Sequence, residues 1–255
     1  MIKVSDYPQL VFVISFFVLS LSGWIGAGLL KKLRKWEEGK REDFGIILGA
    51  TLTLLGLIIG FSFSMAISRY DQRKNYEAAE ANAIDTEYVR ADRLPAADAA
   101  KVRALLKNYL DQRVLSYTIR DGQQILQINA RTAQLQAELW SAVLAPAAAK
   151  PTPMVALALS GMNDVLDSQG YTQASWSNRI PAAAWLLMAA IAVCCNLLIG
   201  YGARDAKAER ILLLVLPLIV SISFYLIADI DSPRGGVIFV QPENLLSLVE
   251  SLRGH

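Results

Sequence analysis

The hydrophobic residues of this chain are concentrated in four windows that contain no aspartate, glutamate, lysine, arginine or histidine. These windows cover residues 9–30, 44–68, 180–203 and 211–228. Because a helix rises about 1.5 Å per residue, each window is roughly long enough to cross a hydrocarbon layer about 30 Å thick. The pattern therefore predicts four transmembrane helices, over residues 9–30, 44–68, 180–203 and 211–230.

The polar segments between these windows predict two transmembrane hairpins that flank one larger domain. Residues 31–43 join the first two spans, and residues 202–210 join the last two. If every window spans the bilayer, both chain termini and the segment between the hairpins lie on the same side of the membrane. The predicted domains are, in chain order, a first hairpin 1–68, a helical extramembrane domain 69–179, a second hairpin 180–230 and a C-terminal tail 231–255.

The extramembrane domain is predicted to be helical. Residues 69–93 contain no glycine or proline, so the second transmembrane helix should project beyond the bilayer. Apolar residues then recur at helical spacing over 102–114 and again over 125–144. The proline-rich segment 146–153 predicts a hinge, followed by a further helix over 154–168. No segment alternates with a period of two, and the predicted fold class is all-α.

Composition and charge narrow the class of protein further. The 255 residues are 54% hydrophobic and 19% charged, with a formal net charge of +2. Soluble domains contain about 25% charged residues, and so small a net charge provides no field that would attract nucleic acid. We therefore exclude an ordinary soluble enzyme, a disordered chain and a nucleic-acid-binding protein.

No combination of residues in the sequence resembles a catalytic site or a cofactor site. The two cysteines, Cys194 and Cys195, are adjacent within the third window, and the single histidine is the last residue, His255. Metalloprotease, nucleophile-elbow and phosphate-binding-loop motifs are missing from the sequence. We predict that the chain is not an enzyme and uses no cofactor, and we identify no metal site.

Two interpretations of the second span remain open. Its small residues form two pairs at four-residue spacing, which allows neighbouring helices to approach closely; they are Gly45, Gly49, Gly56 and Gly60. A separate face carries Thr53, Leu57, Phe61, Ser64 and Ser68. This face either lines a narrow pore, with a hydrophobic neck that gates by dewetting, or contacts lipid beside a glycine-rich packing surface.

Two arginines follow the second span and are candidates for a ring of charge at a pore mouth. Arg69 comes directly after the serines of the span, and Arg73 lies one helical turn further on. The alternative for Arg69 is an interfacial anchor whose long side chain reaches the headgroup region. No charged residue lies within any of the four charge-free windows, so nothing in them indicates a proton relay or a voltage sensor.

Several short motifs resemble proteins of the bestrophin family. The segment Gly60–Arg73 resembles the end of the second bestrophin span, where a Gly-Phe pair is followed eight to nine residues later by Arg and an aromatic residue. The segment Asp231–Gly235 is similar to the acidic element that follows the bestrophin membrane domain. Four further motifs resemble the bacterial bestrophin-like family: Ser68–Asp71, Glu80–Ile84, Tyr88–Asp92 and Leu94–Pro95. The likeness to this family, which includes two hairpins that flank a helical insert, extends over nearly the whole chain.

The resemblance implies an ion channel of the bacterial inner membrane, built as a ring of identical subunits that number five in bestrophins. The second helices would surround a central pore. Chloride or another small inorganic anion would be the usual permeant ion, although some bacterial members of the family pass cations. The register of the Gly60-Phe61 pair would place the neck at Thr53, Leu57 and Phe61. Thr53 stands where bestrophins have a bulky apolar residue, so we expect a wider or wetter neck at that level.

The resemblance also raises the question of a cation site after the last span. Bestrophins bind calcium there through an acidic run, and Asp229 and Asp231 are the candidates for a weak cation site in this chain. Arg234 replaces the phenylalanine of the family, and calcium usually takes about six to eight oxygen ligands. The favoured alternative is that the aspartates cap the helix end and pair with Arg234.

The side of the membrane that holds the extramembrane domain stays open. Short loops rich in lysine and arginine remain cytoplasmic, and both hairpin loops are of this kind, which would place residues 69–179 in the periplasm. The resemblance implies the opposite, because bestrophins keep their large helical domain in the cytoplasm.

A second function also stays open. The chain could be a non-conducting, membrane-anchored sensor or scaffold whose helical domain binds a partner. The helix predicted to run from the second span into that domain, together with the proline-rich segment, would transmit the signal.

Overall fold

The structure is a computed structural model that describes residues 7–30, 40–149, 151–203 and 211–254. These residues form helices joined by short connections, and the described ranges contain no strand. The helices are α1 Pro8–Ile25, which continues as a π-helical segment Gly26–Leu30, α2 Lys40–Arg90, α3 Ala96–Thr118, α4 Gly122–Ala149, α5 Pro153–Ser177, α6 Ala182–Gly202, α7 Leu212–Asp231 and α8 Glu243–Arg253. The all-α prediction is confirmed.

Four helical stretches are long and apolar enough to cross a membrane. They are Pro8–Gly28, Asp43–Arg93, Pro153–Gly202 and Leu213–Asp231. Each overlaps most of one charge-free window of the sequence, so the chain is a membrane protein. The prediction of two hairpins stays a prediction.

The described chain divides into two compact units. The first consists of Met1–Arg69 and Arg179–Phe239, and the second of Tyr70–Asn178 and Val240–His255. One boundary falls within α2 and another between α5 and α6. The C-terminal residues, predicted as one separate tail, are divided between the units, because α8 belongs to the second.

The first unit packs through glycines of α1 and α6. A Cβ atom added to Gly26 would lie 2.9 Å from the Tyr201 nitrogen and would overlap the Leu197 carbonyl oxygen. A Cβ on Gly200 would overlap the carbonyl oxygen of Gly23. By contrast, no described atom lies within 4 Å of such a Cβ on the four glycines predicted to promote helix contact: Gly45, Gly49, Gly56 and Gly60. Among these glycines, the ones that permit a close approach of two helices within the chain are therefore those of α1, its π-helical continuation and α6.

We expect Gly26→Ala to destabilise the first unit. The new methyl group meets backbone atoms of α6, so the helices must separate, and such overpacking costs about 1–3 kcal/mol. Gly28→Ala is the matched control, because nothing lies within 4 Å of its Cβ and alanine favours a helix by up to about 1 kcal/mol. Thermal unfolding in detergent should give a lower midpoint for Gly26→Ala only. Equal midpoints for the two variants would contradict this packing.

The core of the second unit is formed by α2, α3, α4, α5 and α8. Its buried apolar residues confirm the amphipathic patterns of the sequence, and they include Val102, Leu106, Leu110, Leu135, Leu139 and Val143. The prediction of a hinge over 146–153 is wrong in extent, because α4 continues through Pro146 to Ala149. Pro146 lies in the last turn, where a proline removes one hydrogen bond with few helical residues still to follow.

Helix α5 begins at a capping threonine and continues past its predicted end. The Thr152 hydroxyl accepts a hydrogen bond from the Val155 nitrogen at 3.2 Å, and Pro153 occupies the first turn. The helix then runs to Ser177, beyond the predicted end at 168, because Gly170 is tolerated inside it.

Candidate functional site

The face of α2 predicted to line a pore is exposed in the single chain. Leu57 and Phe61 are 53% and 64% exposed, and the other members of this face, Thr53, Ser64 and Ser68, are exposed as well. In the candidate span Asp43–Arg93, only 6% of the most apolar window is buried. The corresponding value is 22–50% in the other three candidate spans. The second span therefore makes the fewest contacts with its own chain.

The opposite side of the same helix is buried. Leu55, Ser62 and Ala66 are 2%, 5% and 0% exposed. Successive residues turn by about 100°, so these residues point roughly 180° away from Leu57 and Ser64. Helix α2 thus packs on its protomer with one side and presents the predicted neck on the other.

The Thr53 hydroxyl is already engaged within its own helix. It donates a hydrogen bond to the Gly49 carbonyl oxygen at 2.9 Å. The hydroxyl oxygen can still accept a hydrogen bond from water, so Thr53 would give a more polar level than leucine. The expectation of a wetter neck at Thr53 stays a prediction.

Arg69 is part of a buried charged contact. Its guanidinium donates to Asp231 Oδ1 at 3.4 Å, and the two side chains are 15% and 1% exposed. Asp231 also accepts from the Ile180 backbone nitrogen, at 3.1 and 3.2 Å. The contact ties α2 to the end of α7 and the entry to α6, and it compensates the positive charge of Arg69.

Asp229 organises the loop that follows α7. Its two carboxylate oxygens accept from the Val237 and Ile238 nitrogens at 2.9 and 2.8 Å. A Cβ at Gly236 would overlap the carboxylate, so this loop requires glycine there. Both carboxylates therefore accept hydrogen bonds from backbone N–H groups at the end of α7, and the weak cation site at Asp229 and Asp231 stays a prediction. In the described ranges, no group of three or more histidine, cysteine, aspartate or glutamate side chains could hold a metal.

The second unit contains several buried charges, of which the sequence analysis singled out only Arg73. Arg73 is only 2% exposed, and this burial argues against its predicted role as a charge at a pore mouth. Arg113 donates through Nε to Glu80 Oε1 and, at 3.4 Å, from its terminal nitrogen to Oε2. The Thr172 hydroxyl donates to the same Oε2 at 3.1 Å. Burial alone would lower the pKa of Arg113, and the adjacent Glu80 carboxylate more than offsets this, so the pKa is raised.

The C-terminal helix α8 is held at both ends. Glu77 accepts from the Leu245 nitrogen at 2.9 Å and from the Asn244 amide at 2.6 Å. The Lys107 ammonium donates to the Leu252 carbonyl oxygen at 2.7 Å. The sequence signal for this helix was available in the spacing of three buried leucines, Leu245, Leu248 and Leu252.

Glu87 is a buried carboxyl group without a hydrogen bond in the part of the chain that the structure describes. It is 0% exposed, and the missing side chain of Gly161 leaves room for its carboxyl group. Burial raises the pKa of Glu87 from 4.5 to about 8; the nearby Arg90 lowers it and Asp164 raises it. Arg90 and Asp164 approach each other to 3.7 Å.

We expect Glu87 to make stability depend on pH. The folded protein keeps the proton up to about pH 8, whereas the unfolded chain releases it near 4.5, so the free energy of unfolding falls as the pH rises between these values. At about 1.36 kcal/mol per pKa unit, the loss is on the order of 3–5 kcal/mol. Glu87→Gln should remove this dependence, as measured by chemical unfolding at both ends of the range. Glu138, whose side chain is 38% exposed, provides the control, Glu138→Gln, which should behave like the wild type. The same pH dependence in Glu87→Gln and the wild type would contradict the assignment.

The apolar helices and the helical second unit together define an all-α integral membrane protein. A family model described as the Bestrophin-like domain matches residues 18–245. The chain therefore belongs to the bestrophin-like family, and the resemblance inferred from the short motifs is confirmed. No curated protein matches the chain.

Solved structures with the same fold come from a bacterial bestrophin homologue of Klebsiella pneumoniae. The form solved by Zn-SAD phasing is 13% identical, with a TM-score of 0.62 over 95% of this chain and 98% of that one. Two singly substituted forms are each 12% identical, with TM-scores of 0.64 and 0.63. The first covers 95% of this chain and 98% of its own, and the second 96% and 97%. At this identity the likeness establishes the fold.

Proposed function

We propose that the chain forms a ring-shaped homo-oligomer that conducts small inorganic ions through an axial pore lined by α2. The supporting observation is that the face carrying Thr53, Leu57 and Phe61 is exposed, while the opposite side of the helix is buried in the protomer. A ring of copies around this face would cover it. The resemblance to bestrophins implies five subunits, a bacterial inner membrane and chloride or another small anion.

The side chains on this face fit a hydrophobic neck. Leu57 and Phe61 are one helical turn apart, so in a ring each would contribute one apolar level around the axis. Apolar constrictions of this kind block ions by excluding water and open when they widen. Ser64 and Ser68 would supply hydroxyl groups where the neck ends. The proposal involves no catalytic step and no cofactor.

The glycines of α2 support close contact between copies. A ring places one side of each helix toward the axis and the neighbouring sides against adjacent helices. Gly45, Gly49, Gly56 and Gly60 lie beside the neck face, and no described atom fills the space at their Cβ positions. Small residues at such places let membrane helices approach closely.

The experiment is to reconstitute the purified protein into planar lipid bilayers and to image the same preparation. The proposal predicts discrete current steps and a symmetric ring with an axial opening. Absence of both would contradict it and favour the second candidate, a non-conducting sensor or scaffold. The continuity of α2 from Lys40 to Arg90 is the observation that favours this candidate, because a single helix could carry a signal out of the membrane.

A further inference from the structure

A pocket of about 390 Å³ lies between α2 and α5 in the second unit. Helix α5 contributes Gly161, which has no side chain, and the exposed Asp164. One face of α2 forms the rest of the wall, through Ala79, Asn82, Ala83, Thr86 and Arg90. The pocket therefore combines small apolar residues, two uncharged polar side chains and a pair of opposite charges.

The carboxyl group of Glu87 lies directly behind Gly161. A Cβ atom on Gly161 would overlap both Glu87 Oε2 and the Arg90 guanidinium, so these two groups lie next to each other at the glycine. Glu87 is 0% exposed, and neither of its carboxyl oxygens has a hydrogen bond in the described ranges. Buried polar groups normally have hydrogen-bond partners, and a buried carboxylate is costly without a cation or N–H donors. The pocket thus adjoins a carboxyl group that the described residues leave unsatisfied.

Arg90 does not supply the missing hydrogen bonds. Its guanidinium approaches Asp164 to 3.7 Å, and the two side chains are 34% and 64% exposed. Exposed ion pairs of this kind contribute little to stability, so the Arg90 side chain can turn toward solvent. This movement would open a path from the pocket to Glu87.

The charges around the pocket favour a cation as its ligand. When Glu87 is ionised, Arg90 stands beside two carboxylates, those of Glu87 and Asp164, and one positive charge is missing. A monovalent cation restores the balance. An anion or a zwitterion would add a further negative charge next to two carboxylates.

We infer that this pocket binds a small primary ammonium ion, which donates hydrogen bonds to Glu87. An ammonium group carries three N–H donors, and hydrogen bonds between ionised partners are stronger than those between neutral groups. The alkyl part of the ligand would lie along Ala79 and Ala83. When the ligand binds, the carboxyl proton of Glu87 passes to the solvent, so the net charge of the occupied pocket is the same as that of the empty one.

The test is isothermal titration calorimetry of the purified protein in detergent with ethylammonium chloride. Titrations at pH 7 in two buffers of different ionisation enthalpy measure how many protons are released on binding. Most Glu87 carboxyl groups are protonated at this pH, because burial raises their pKa to about 8. The wild type should therefore release close to one proton per bound ethylammonium. Tetramethylammonium, which has the same charge but no N–H donor, should bind about tenfold more weakly.

Glu87→Gln should lower the affinity for ethylammonium by about tenfold and abolish the proton release. Asp85→Asn is the matched control, because Asp85 is an exposed carboxylate on the same helix that does not line the pocket, and it should bind like the wild type.

Three results would overturn the inference: no binding to the wild type, binding without proton release, or equal affinity in Glu87→Gln and the wild type. The wild-type titrations with the two cations decide the test even if Glu87→Gln does not fold. Binding is measured without any current, so the outcome is independent of the proposed channel.

Discussion

Phe61→Ala should increase the single-channel conductance of the reconstituted protein several-fold. The benzyl ring is 64% exposed in one protomer, and in the proposed ring it projects into the narrowest part of the pore. Removing it from every subunit widens the neck and lowers the cost of keeping it hydrated. Leu57→Ala should act in the same direction with a smaller effect. The measurement is the unitary current of each variant at one fixed voltage and salt concentration.

The matched control is Phe17→Ala. Phe17 lies on α1, is 68% exposed and carries the same side chain, so its removal tests for a general effect on membrane insertion. We expect wild-type conductance from this variant. If Phe61→Ala and Leu57→Ala both conduct like the wild type, the neck is not formed by this face of α2.

Arg113→Ala should lower the free energy of unfolding by about 3–5 kcal/mol, because it leaves the Glu80 carboxylate buried without its cation. Arg113 and Glu80 are 2% and 0% exposed, and the remaining donor to Glu80, the Thr172 hydroxyl, is neutral. Thermal unfolding followed by circular dichroism should show a large decrease in the midpoint. The effect lies in the second unit, where Arg113, Glu80 and Thr172 lie.

A partly exposed ion pair in the same unit provides the control. Arg131 lies 3.6 Å from Glu138, and their side chains are 42% and 38% exposed. Pairs of this kind contribute about 0–1 kcal/mol, so Arg131→Ala should be close to neutral. The double variant Arg113→Met, Glu80→Leu should recover much of the lost stability, because it removes both charges. Equal effects of Arg113→Ala and Arg131→Ala would contradict the buried pair.

The transmembrane helices could be predicted from the sequence because their signal is local. A charge-free apolar window of about 20 residues has few alternatives to a membrane-spanning helix. The sequence signal for the continuation of α2 beyond the span is also local, because no glycine or proline interrupts residues 69–93. Helix α8 has a local signal as well, in the helical spacing of its three buried leucines, Leu245, Leu248 and Leu252.

The environment of the charged residues could not be predicted in the same way. Arg69 and Asp231 are 162 residues apart, and no local pattern indicates that they pair. Helical spacing assigns Arg73 to a face of α2 but does not show which face packs against other helices.

The central claim is that copies of α2 surround an ion pathway. The most direct measurement is an image of the oligomer in lipid, at a resolution that shows the side chains around the symmetry axis. We predict a water-filled opening with Leu57 and Phe61 of every subunit directed toward it. An assembly in which these two side chains contact lipid acyl chains, or in which another helix occupies the axis, would contradict the claim.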